Sequence, residues 1–405
     1  MSQPLTVAYI FERYPVLSQA FLRREVAGVC AHGIRVEIHS MFSPSAADRV
    51  HALPGVPVDY FRWWEAAKLI VALPRELLRD RTLIRDGWRL YRQYRPSNSE
   101  NFWTTVWAAI FAVCRAHRFR RDKPDVVHGV WATGPATAAA ILGRLCGVPF
   151  SFGGHAYDIY RHGGDAFLLP KLRAAGFVHT TTEAGLAYLR ERSGSASANI
   201  LLARRGLDRL PPKSERDTAV RPIRLLSVGR LVAKKGHDHQ LAACALLKSW
   251  GVPFITKIIG DGPLCGELQH RIDRDGLGGM VILCGALPPE QVQEQYRWAD
   301  IFWHTGQIDA EGDRDGLPNV IPEAFAHCLP VITSRTAGPM EAVAHETSGL
   351  VVDMSNASEL AGAVKRLAQD AQLRRRLGEN GRHWVEENFL IAQNTEILAN
   401  AFREA

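Results

Sequence analysis

The chain of 405 residues is long enough for two domains, each with a hydrophobic core of its own. Its content of 46% hydrophobic and 22% charged residues is typical of a globular protein and excludes a disordered or fibrous chain. No stretch of eighteen apolar residues occurs, which argues against a transmembrane helix, and the start of the chain does not read as a secretory signal.

The seven cysteines are scattered along the chain without CxxC spacing. This pattern argues against a disulfide scaffold and against a cysteine-based zinc site. We therefore expect a cytoplasmic protein.

The net charge of +7 is uneven, with about +12 in residues 1–213 and about −5 in the rest. Basic residues cluster at 62–95 and 115–123. The aromatic side chains beside them are Trp63, Trp64, Trp88, Phe102, Trp103 and Trp107. This combination is typical of helices on an anionic membrane surface, and equally of a solvated helical face with its tryptophans in the core. No nucleic-acid-binding motif accompanies the charge, so nucleic acid is not an expected partner.

Predicted strands and helices alternate from the start of the chain. VAYIF is a short apolar strand, Ser18 is placed to cap a helix over Gln19–His32, and IRVEIHSM is the next strand. After the basic insert, the alternation continues through the strand DVVHGVW, the helix ATGPATAAAILGRLCG, a strand and loop over PFSFGGHAYDIY, and further strands in GFVHTTTEAG and NILLARRG.

Residues 211–222 are polar, contain prolines and have no periodicity, which predicts a linker. The strands predicted beyond it are IRLLSVGR, FITKIIG, MVILCG, DIFWHT, PVITS and GLVVD. The helices predicted between them are Asp238–Trp250, Cys265–Asp275, Pro289–Trp298 and Pro322–Cys328. Such alternation predicts an α/β protein with two Rossmann-like, doubly wound domains facing a cleft.

Residues 311–331 carry the most informative motif. Asp315 and Glu323 are separated by seven residues, with the DGLPN turn between them. Each carboxylate can accept hydrogen bonds from two vicinal hydroxyls of a sugar, although an acidic surface loop is an alternative reading. The motif resembles the E-x7-E signature of retaining glycosyltransferases of family 4, with Asp in place of the first Glu.

The resemblance implies a GT-B fold. In that fold an acceptor-binding domain, here 1–213 with a last helix at about 388–405 packing back on it, precedes a nucleotide-sugar-binding domain, here 221–387. Asp315 would bind the hydroxyls of the donor sugar, and Glu323 those of the ribose. The further donor-binding positions implied are Gly316, Leu317, Asn319 and Gly338.

Two loops resemble other motifs of the same family. LLSVG runs into RLVAKKGHDH, which resembles the GR-x4-KG motif and places Gly229, Arg230 and Lys235 at the donor diphosphate. IIGDGPL resembles a G-x-GP segment of the nucleotide site, with Gly262 and Pro263. A solvated basic loop is the alternative for the first segment, and a plain tight turn is the alternative for the second. A dinucleotide-binding G-x-G-x-x-G is missing after the first strand, which counts against a dehydrogenase.

In the first domain, FSFGGHAYDIY resembles the HAxDI segment of bacterial exopolysaccharide and lipopolysaccharide transferases. That resemblance places His155 and Asp158 near the leaving phosphate and the reacting sugar. The opening ERYPVLSQAF resembles another segment of these enzymes and places Tyr14 and Ser18 on the acceptor side.

Residues 313–315 spell the D-x-D pattern of metal-dependent sugar-nucleotide enzymes. Because Arg230 and Lys235 already supply positive charge, we expect no metal and no cofactor. Cys328 stands where the family usually has glycine, so the backbone there is expected to be unusual.

The activity implied is retaining, metal-independent transfer from a UDP-sugar, or next a GDP-sugar, to a lipid-linked or polysaccharide acceptor in cell-surface polysaccharide biosynthesis. The enzyme would be cytoplasmic and peripheral on the inner face of the membrane. The catalytic residues implied are His155, Asp158, Arg230, Lys235 and Asp315. The alternatives are a GT-B sugar-nucleotide epimerase, a transferase for a small-molecule acceptor and a non-catalytic sugar-nucleotide-binding subunit.

Overall fold

The computed structural model describes residues 4–16, 19–96, 98–194, 199–213, 222–310 and 315–405. The chain forms two compact units. Unit 1 comprises Met1–Asp208 and Ile391–Ala405, and unit 2 comprises Arg209–Leu390. The division between the units therefore comes just before the polar stretch at 211–222, of which 214–221 lie outside the described residues.

Unit 1 is built on a parallel sheet. Its strands are β1 (Thr6–Arg13), β2 (Arg35–Phe42), β3 (Val58–Tyr60), β4 (Val126–Gly129), β5 (Phe150–Gly153), β6 (Phe177–Thr180) and β7 (Ile200–Leu202). Their order is β3-β2-β1-β4-β5-β6-β7, and all these neighbours pair in parallel. The order in which successive strands are added reverses between β1 and β4, which is the arrangement of a Rossmann-like, doubly wound fold.

Helices cover both faces of this sheet. They are α1 (Ala20–Ala31), α2 (Ala46–Arg49), α3 (Leu69–Arg79), α4 (Leu83–Gln93), α5 (Ser99–Asp122), α6 (Gly134–Cys146), α7 (Tyr157–Tyr160), α8 (Leu168–Ala174), α9 (Glu183–Ser193) and α17 (Ile391–Glu404). The last helix, α17, packs against α1. Its Phe402 ring lies 5.9 Å from that of Tyr9 and 5.1 Å from that of Phe177, so α17 is part of the core of unit 1.

Unit 2 repeats the same topology. Its strands are β8 (Ile223–Val228), β9 (Phe254–Ile259), β10 (Val281–Leu283), β11 (Ile301–His304), β12 (Val331–Ser334) and β13 (Gly349–Val352). Its helices are α10 (His237–Ser249), α11 (Cys265–Arg274), α12 (Pro289–Trp298), α13 (Val320–Ala326), α14 (Ala337–Ala342), α15 (Ala357–Gln369) and α16 (Ala371–Asn388). The strand order is β10-β9-β8-β11-β12-β13, so the reversal here falls between β8 and β11.

The prediction of two doubly wound parallel sheets is confirmed. One local prediction was wrong. Residues 157–160 form the short helix α7 rather than a loop. The carboxylate of Asp158 accepts hydrogen bonds from the amides of His155 and Ala156, which fixes the turn that starts this helix.

The basic insert between β3 and β4 is helical. A 3₁₀ turn at Trp63–Lys68 leads into α3, α4 and α5. The tryptophans exposed on this insert are Trp63 (76%), Trp64 (53%), Trp88 (59%) and Trp103 (58%). The reading that placed the tryptophans in the core is therefore wrong for these four. Within the described residues, no helix has the length and apolarity needed to cross a membrane.

Candidate functional site

The predicted donor-binding residues of unit 2 meet at one edge of its sheet. They lie on the loops and helix starts that follow the carboxyl ends of β8, β9, β11 and β12. The strand order reverses between β8 and β11, and open α/β sheets bind their ligands beyond the strand ends at such a reversal. Stretches that are far apart in sequence thus form one candidate site.

An ionic cluster lies at the centre of this edge. The Nζ atom of Lys235 is 2.6 Å from Oδ2 of Asp315, and Nζ of Lys234 is 3.7 Å from Oδ1. On the other side, Nε2 of His304 lies 3.3 Å from Oδ2. The side chains of Lys235 and Asp315 are only 14% and 15% exposed, so this is a largely desolvated ion pair.

The charge state of this cluster follows from its surroundings. Burial opposes ionisation of Asp315, but the Lys235 ammonium and the hydrogen bond from His304 hold the pKa of Asp315 well below its usual range. Burial also lowers the pKa of His304, although Asp315 opposes this. The Gly306 amide donates to Nδ1 of His304, so the neutral ring carries its proton on Nε2 and donates it to Asp315.

The turn after β8 fixes Lys235. Gly236 has a φ of 61°, and a Cβ on it would lie 2.1 Å from the carbonyl oxygen of Thr305. The Thr305 hydroxyl donates to the carbonyl of Lys235 at 3.0 Å. Only glycine fits this turn, which is why the turn can sit against the end of β11. Arg230 begins the same turn with its side chain exposed.

The glycine-bearing loops pack on each other. A Cβ on Gly262 would lie 2.5 Å from the carbonyl oxygen of Leu231, and one on Gly338 would lie 2.2 Å from that of Gly316. Gly229 and Pro263 lie on the same loops, half-buried and exposed respectively. Gly262 and Gly338 therefore allow the loops after β8, β9, β11 and β12 to approach closely, and this packing alone requires glycine there.

Glu323 is held on the first turn of α13. The Tyr296 hydroxyl donates to its Oε2 at 3.0 Å, and burial together with this carboxylate raises the pKa of Tyr296 well above its usual value. The His327 ring stacks on Tyr296 at 5.4 Å. The Glu323 carboxylate thus has a fixed orientation near the start of a helix.

The DGLPN turn links Asp315 to this helix. Leu317 is 5% exposed and anchors the turn in the core of unit 2. Asn319 occupies the N-cap position of α13, and its Oδ1 is buried without a hydrogen-bond partner among the described residues. That oxygen is an acceptor available to a ligand hydroxyl. Asp313 and Arg314 of the D-x-D pattern lie outside the described residues.

In unit 1, His155 and Asp158 are both buried, at 1% and 0% exposure. The Asp158 carboxylate accepts hydrogen bonds from the amides of Ala132 (2.9 Å), His155 (3.1 Å) and Ala156 (2.8 Å). It thereby fixes the loops after β4 and β5. This geometry suits a positioning role for Asp158 better than contact with a substrate.

Tyr14 and Ser18 are the two residues predicted on the acceptor side, and Ser18 lies outside the described residues. Tyr14 is 2% exposed and packs on Phe11, and its hydroxyl accepts a hydrogen bond from the Leu53 amide at 3.1 Å. The Tyr14 side chain is part of the core of unit 1 and offers little surface to an acceptor.

Residues 213–384 match the family model described as Glycosyl transferases group 1. This match spans nearly all of unit 2. The matched region contains Lys235, His304, Asp315 and Glu323. The cluster described above therefore lies within the matched part of unit 2, and unit 2 is called the group 1 unit from here on. The family resemblance predicted from the motifs is confirmed.

Similar proteins extend the comparison. The chain is 36% identical over 179 residues to the amylovoran biosynthesis glycosyltransferase AmsK of Erwinia amylovora, covering 44% of each chain. It is 30% identical over 170 residues to a GDP-mannose-dependent alpha-(1-6)-phosphatidylinositol monomannoside mannosyltransferase of Mycolicibacterium smegmatis, covering 42% of this chain and 44% of that protein. Each alignment spans less than half of the relative's length.

A solved structure shows the fold of the whole chain. Anabaena Alr3699/HepE, in complex with UDP and glucose, superimposes with a TM-score of 0.71 over 99% of this chain and 100% of that chain, at 16% identity. The group 1 unit is thus the second half of a GT-B fold, as the motifs predicted.

The sequence motifs missed three residues of the group 1 unit. His304 and Lys234 contact Asp315, and Tyr296 contacts Glu323. The sequence contains features that could have indicated Lys234 and His304 as site residues. Lys234 lies inside the basic turn, and His304 is a polar residue that ends a buried strand. No such feature indicates Tyr296, because it lies on α12, outside every motif.

Proposed function

We propose that this protein is a glycosyltransferase that moves a sugar from a nucleoside diphosphate sugar to a saccharide or lipid-linked acceptor in polysaccharide biosynthesis. The observation that carries the proposal is the Lys235–Asp315–His304 cluster at the strand reversal of the group 1 unit. AmsK and the mannosyltransferase, both glycosyltransferases, support the reaction class, and AmsK, as an amylovoran biosynthesis enzyme, also supports the pathway class.

The cluster suits a donor with a negatively charged leaving group. The Lys235 ammonium can contact the diphosphate while it stays paired with Asp315, and the exposed Arg230 at the start of the same turn adds a second positive charge. Asp315 and Glu323 supply carboxylates for the hydroxyls of the donor sugar and of the ribose. We favour UDP-sugars, with GDP-sugars next, since HepE binds UDP and the mannosyltransferase is GDP-mannose-dependent.

The reaction is proposed to retain the anomeric configuration and to need no metal. The charges of Lys235 and Arg230 would stabilise the departing diphosphate, and His155 is proposed by resemblance to act on the same leaving group. The leaving phosphate would accept the proton of the attacking hydroxyl, so a front-face route needs no protein nucleophile. Proton NMR of the first product formed from an α-linked donor should show an α-linkage, with turnover unchanged in EDTA; a β-linked product would reject retention.

The donor site is tested by calorimetric binding of UDP, GDP and ADP to the full chain. One nucleotide should bind best, and Lys235→Ala and Glu323→Ala should each weaken it at least about tenfold, because each removes a charged contact. Lys365→Ala and Glu294→Ala are the matched controls. Lys365 packs over Trp250 and Glu294 is exposed on α12, so neither should change the affinity.

Equal binding by the Lys235→Ala, Glu323→Ala and control proteins would contradict this assignment of the site. Turnover separates the alternatives. Release of UDP or GDP that requires an added saccharide or lipid-linked acceptor indicates a transferase, whereas interconversion of the donor sugar without acceptor indicates an epimerase. Nucleotide binding without either reaction would indicate a non-catalytic binding subunit.

The acceptor is proposed to be reached at an anionic membrane surface, and the insert of unit 1 supports this. Helices normally turn apolar side chains inward, but α3 leaves three large apolar side chains exposed. Its buried residue is Glu76, while Ile70, Val71 and Leu78 are 80%, 73% and 78% exposed. Apolar side chains so exposed on one helix suit insertion into a bilayer interface.

Ion pairs hold the inner side of these helices to the body of unit 1. Glu76 pairs with Arg120 of α5, with one N···O distance of 2.9 Å. Arg144 of α6 pairs with Asp80 at 2.7 Å and with Asp86 at 2.9 Å. Glu76, Asp80 and Asp86 are thus engaged in internal contacts. The exposed arginines and apolar side chains of α3 and α4 complement anionic lipid.

This surface is tested by flotation of the full chain with vesicles of anionic and of zwitterionic phospholipid. Binding should require anionic lipid and weaken with salt. The triple variant Ile70→Ser, Val71→Ser, Leu78→Ser should lose at least about tenfold in partitioning, because it removes the apolar groups that would enter the lipid. Val50→Ser is the control, since Val50 is also 80% exposed but lies outside the insert. Equal vesicle binding by the triple variant and by Val50→Ser would exclude the exposed residues of α3 as the membrane-binding surface.

A further inference from the structure

Three buried histidines lie side by side in unit 1. His128 is in β4, His179 is in β6 and His155 follows β5, with exposures of 0%, 1% and 1%. The ring centroids of His128 and His179 are 5.3 Å apart, and those of His155 and His179 are 5.1 Å apart. Parallel pairing of β4, β5 and β6 brings these rings together on one face of the sheet.

These rings have unusual hydrogen bonding. Nε2 of His128 and both ring nitrogens of His179 make no hydrogen bond to any other residue that the structure describes. Leaving a buried polar atom unpaired costs about 1–3 kcal/mol. Buried groups of this kind indicate a partner from outside the protein, either an ion or water.

A carboxylate completes the group. Glu25 of α1 lies next to His128 and His179, and one ligand atom from each of the three lies within 4.8 Å of the other two. Any three atoms so spaced lie within about 2.8 Å of a common point. Zinc–nitrogen bonds are about 2.0–2.1 Å long, so shifts of less than about 1 Å would bring all three into coordination.

The surrounding residues hold the ligands as metal sites require. Nδ1 of His128 is 2.8 Å from Oγ of Ser151, which orients the ring and leaves Nε2 for a metal. The Tyr9 hydroxyl donates to Oε1 of Glu25 at 3.4 Å. A Cβ on Gly153 would lie 2.9 Å from Nε2 of His179, so glycine at this position keeps room for the ring.

We propose that Glu25, His128 and His179 form a binding site for one divalent transition metal ion, with Zn²⁺ as the best match for two imidazoles and a carboxylate. The site lies in unit 1 and is distinct from the donor site of unit 2. Its role is structural, because a bound ion would join α1 to β4 and β6 through the interior.

The test uses the full chain without a histidine tag, stripped with EDTA and dialysed. Titration with Zn²⁺ should show one ion per chain, and Co²⁺ should give the intense visible absorption of a four-coordinate site. Saturating Zn²⁺ should raise the Tm. The variants Glu25→Gln and His179→Ala should weaken Zn²⁺ binding on the order of 100-fold, because each removes one of three ligands.

His117→Ala is the matched control, since His117 is an exposed histidine of the same unit and should leave Zn²⁺ binding unchanged. Glu25→Gln preserves the size of the side chain, and circular dichroism should show that it remains folded. Absence of stoichiometric Zn²⁺ binding by the folded wild type would overturn the proposal and leave buried water as the partner of these rings. Equal affinity in wild type, Glu25→Gln and His179→Ala would place the metal elsewhere and overturn it too.

Discussion

Cys328 adopts a φ of 55°, in the left-handed region that favours glycine. It ends α13, and its amide donates to the carbonyl of Phe325 at 2.8 Å, so the residue closes the helix. The backbone there cannot relax freely, because a Cβ on Gly378 of α16 would lie 2.1 Å from the Cys328 carbonyl oxygen. The chain therefore keeps the conformation that a glycine would adopt and places a side chain on it.

This strain predicts that Cys328→Gly stabilises the protein. Removing the Cβ relieves about 1–2 kcal/mol of backbone strain in the folded chain. The greater freedom of glycine in the unfolded chain offsets part of this effect, so the free energy of unfolding is expected to rise by about 0.5–1 kcal/mol. Urea unfolding followed by fluorescence would measure the change. Cys328→Ala is the control: it keeps the Cβ and should show no such gain, and a similar gain in both variants would assign the effect to the thiol.

At the scale of elements, β3 is tied to α5 by charge. Asp59 of β3 lies 3.2 Å from Arg115 and 3.0 Å from Arg118 of α5, with the ring of His39 3.5 Å away. Burial opposes ionisation of Asp59, but the His39 ring and the two arginines lower the pKa to about 2. The insert that carries the exposed tryptophans begins just after this strand, so the network fixes one end of the insert.

This network predicts a loss of stability in acid. Because the folded pKa of Asp59 is below its unfolded value of 3.8, the contribution is complete above about pH 4 and is lost as the pH falls toward 2. The full shift corresponds to about 2 kcal/mol, and screening at this partly exposed site reduces the expected value to about 1 kcal/mol. Urea unfolding between pH 2.5 and 6 would measure it.

Asp59→Asn should lower the free energy of unfolding at pH 6 by about 1 kcal/mol, and the difference from wild type should shrink as the pH falls. Asp238→Asn, at an exposed aspartate of α10, should follow the wild-type profile. A constant difference between Asp59→Asn and wild type across this pH range would rule out titration of Asp59 as the cause.

At the scale of the molecule, the two units share one topology but not one continuous chain. Unit 1 receives its last helix, α17, only after the chain has completed unit 2. Leu398, Ala399 and Phe402 of α17 are buried with β1 and α1 in the same core cluster. Completion of unit 1 therefore depends on residues about 180 positions beyond the rest of it.

Phe402→Ala tests this dependence. Loss of this buried phenylalanine should lower the free energy of unfolding of unit 1 by about 3–5 kcal/mol. Hydrogen exchange followed by mass spectrometry should show faster exchange in β1, β4 and α1, with the core strands of unit 2 unchanged. Glu404→Ala, at an exposed position of the same helix, should leave both units protected. Equal loss in the two units would show that they unfold together.

The sequence by itself determined the class of fold and the family resemblance. Apolar strands alternating with helices predict parallel sheets because each strand must be covered on both faces, and the spacing of Asp315 and Glu323 marks the group 1 unit. These are local signals, since they depend on residues within one or two consecutive elements.

Only the tertiary structure decided which side chains meet and which face outward. It joined His304 to Asp315, placed the Tyr14 side chain in the core and left three large apolar side chains of α3 exposed. It also gathered three histidines and Glu25 that are far apart in the sequence. Local pattern cannot give these results, because strand order, helix rotation and burial depend on contacts between elements distant along the chain.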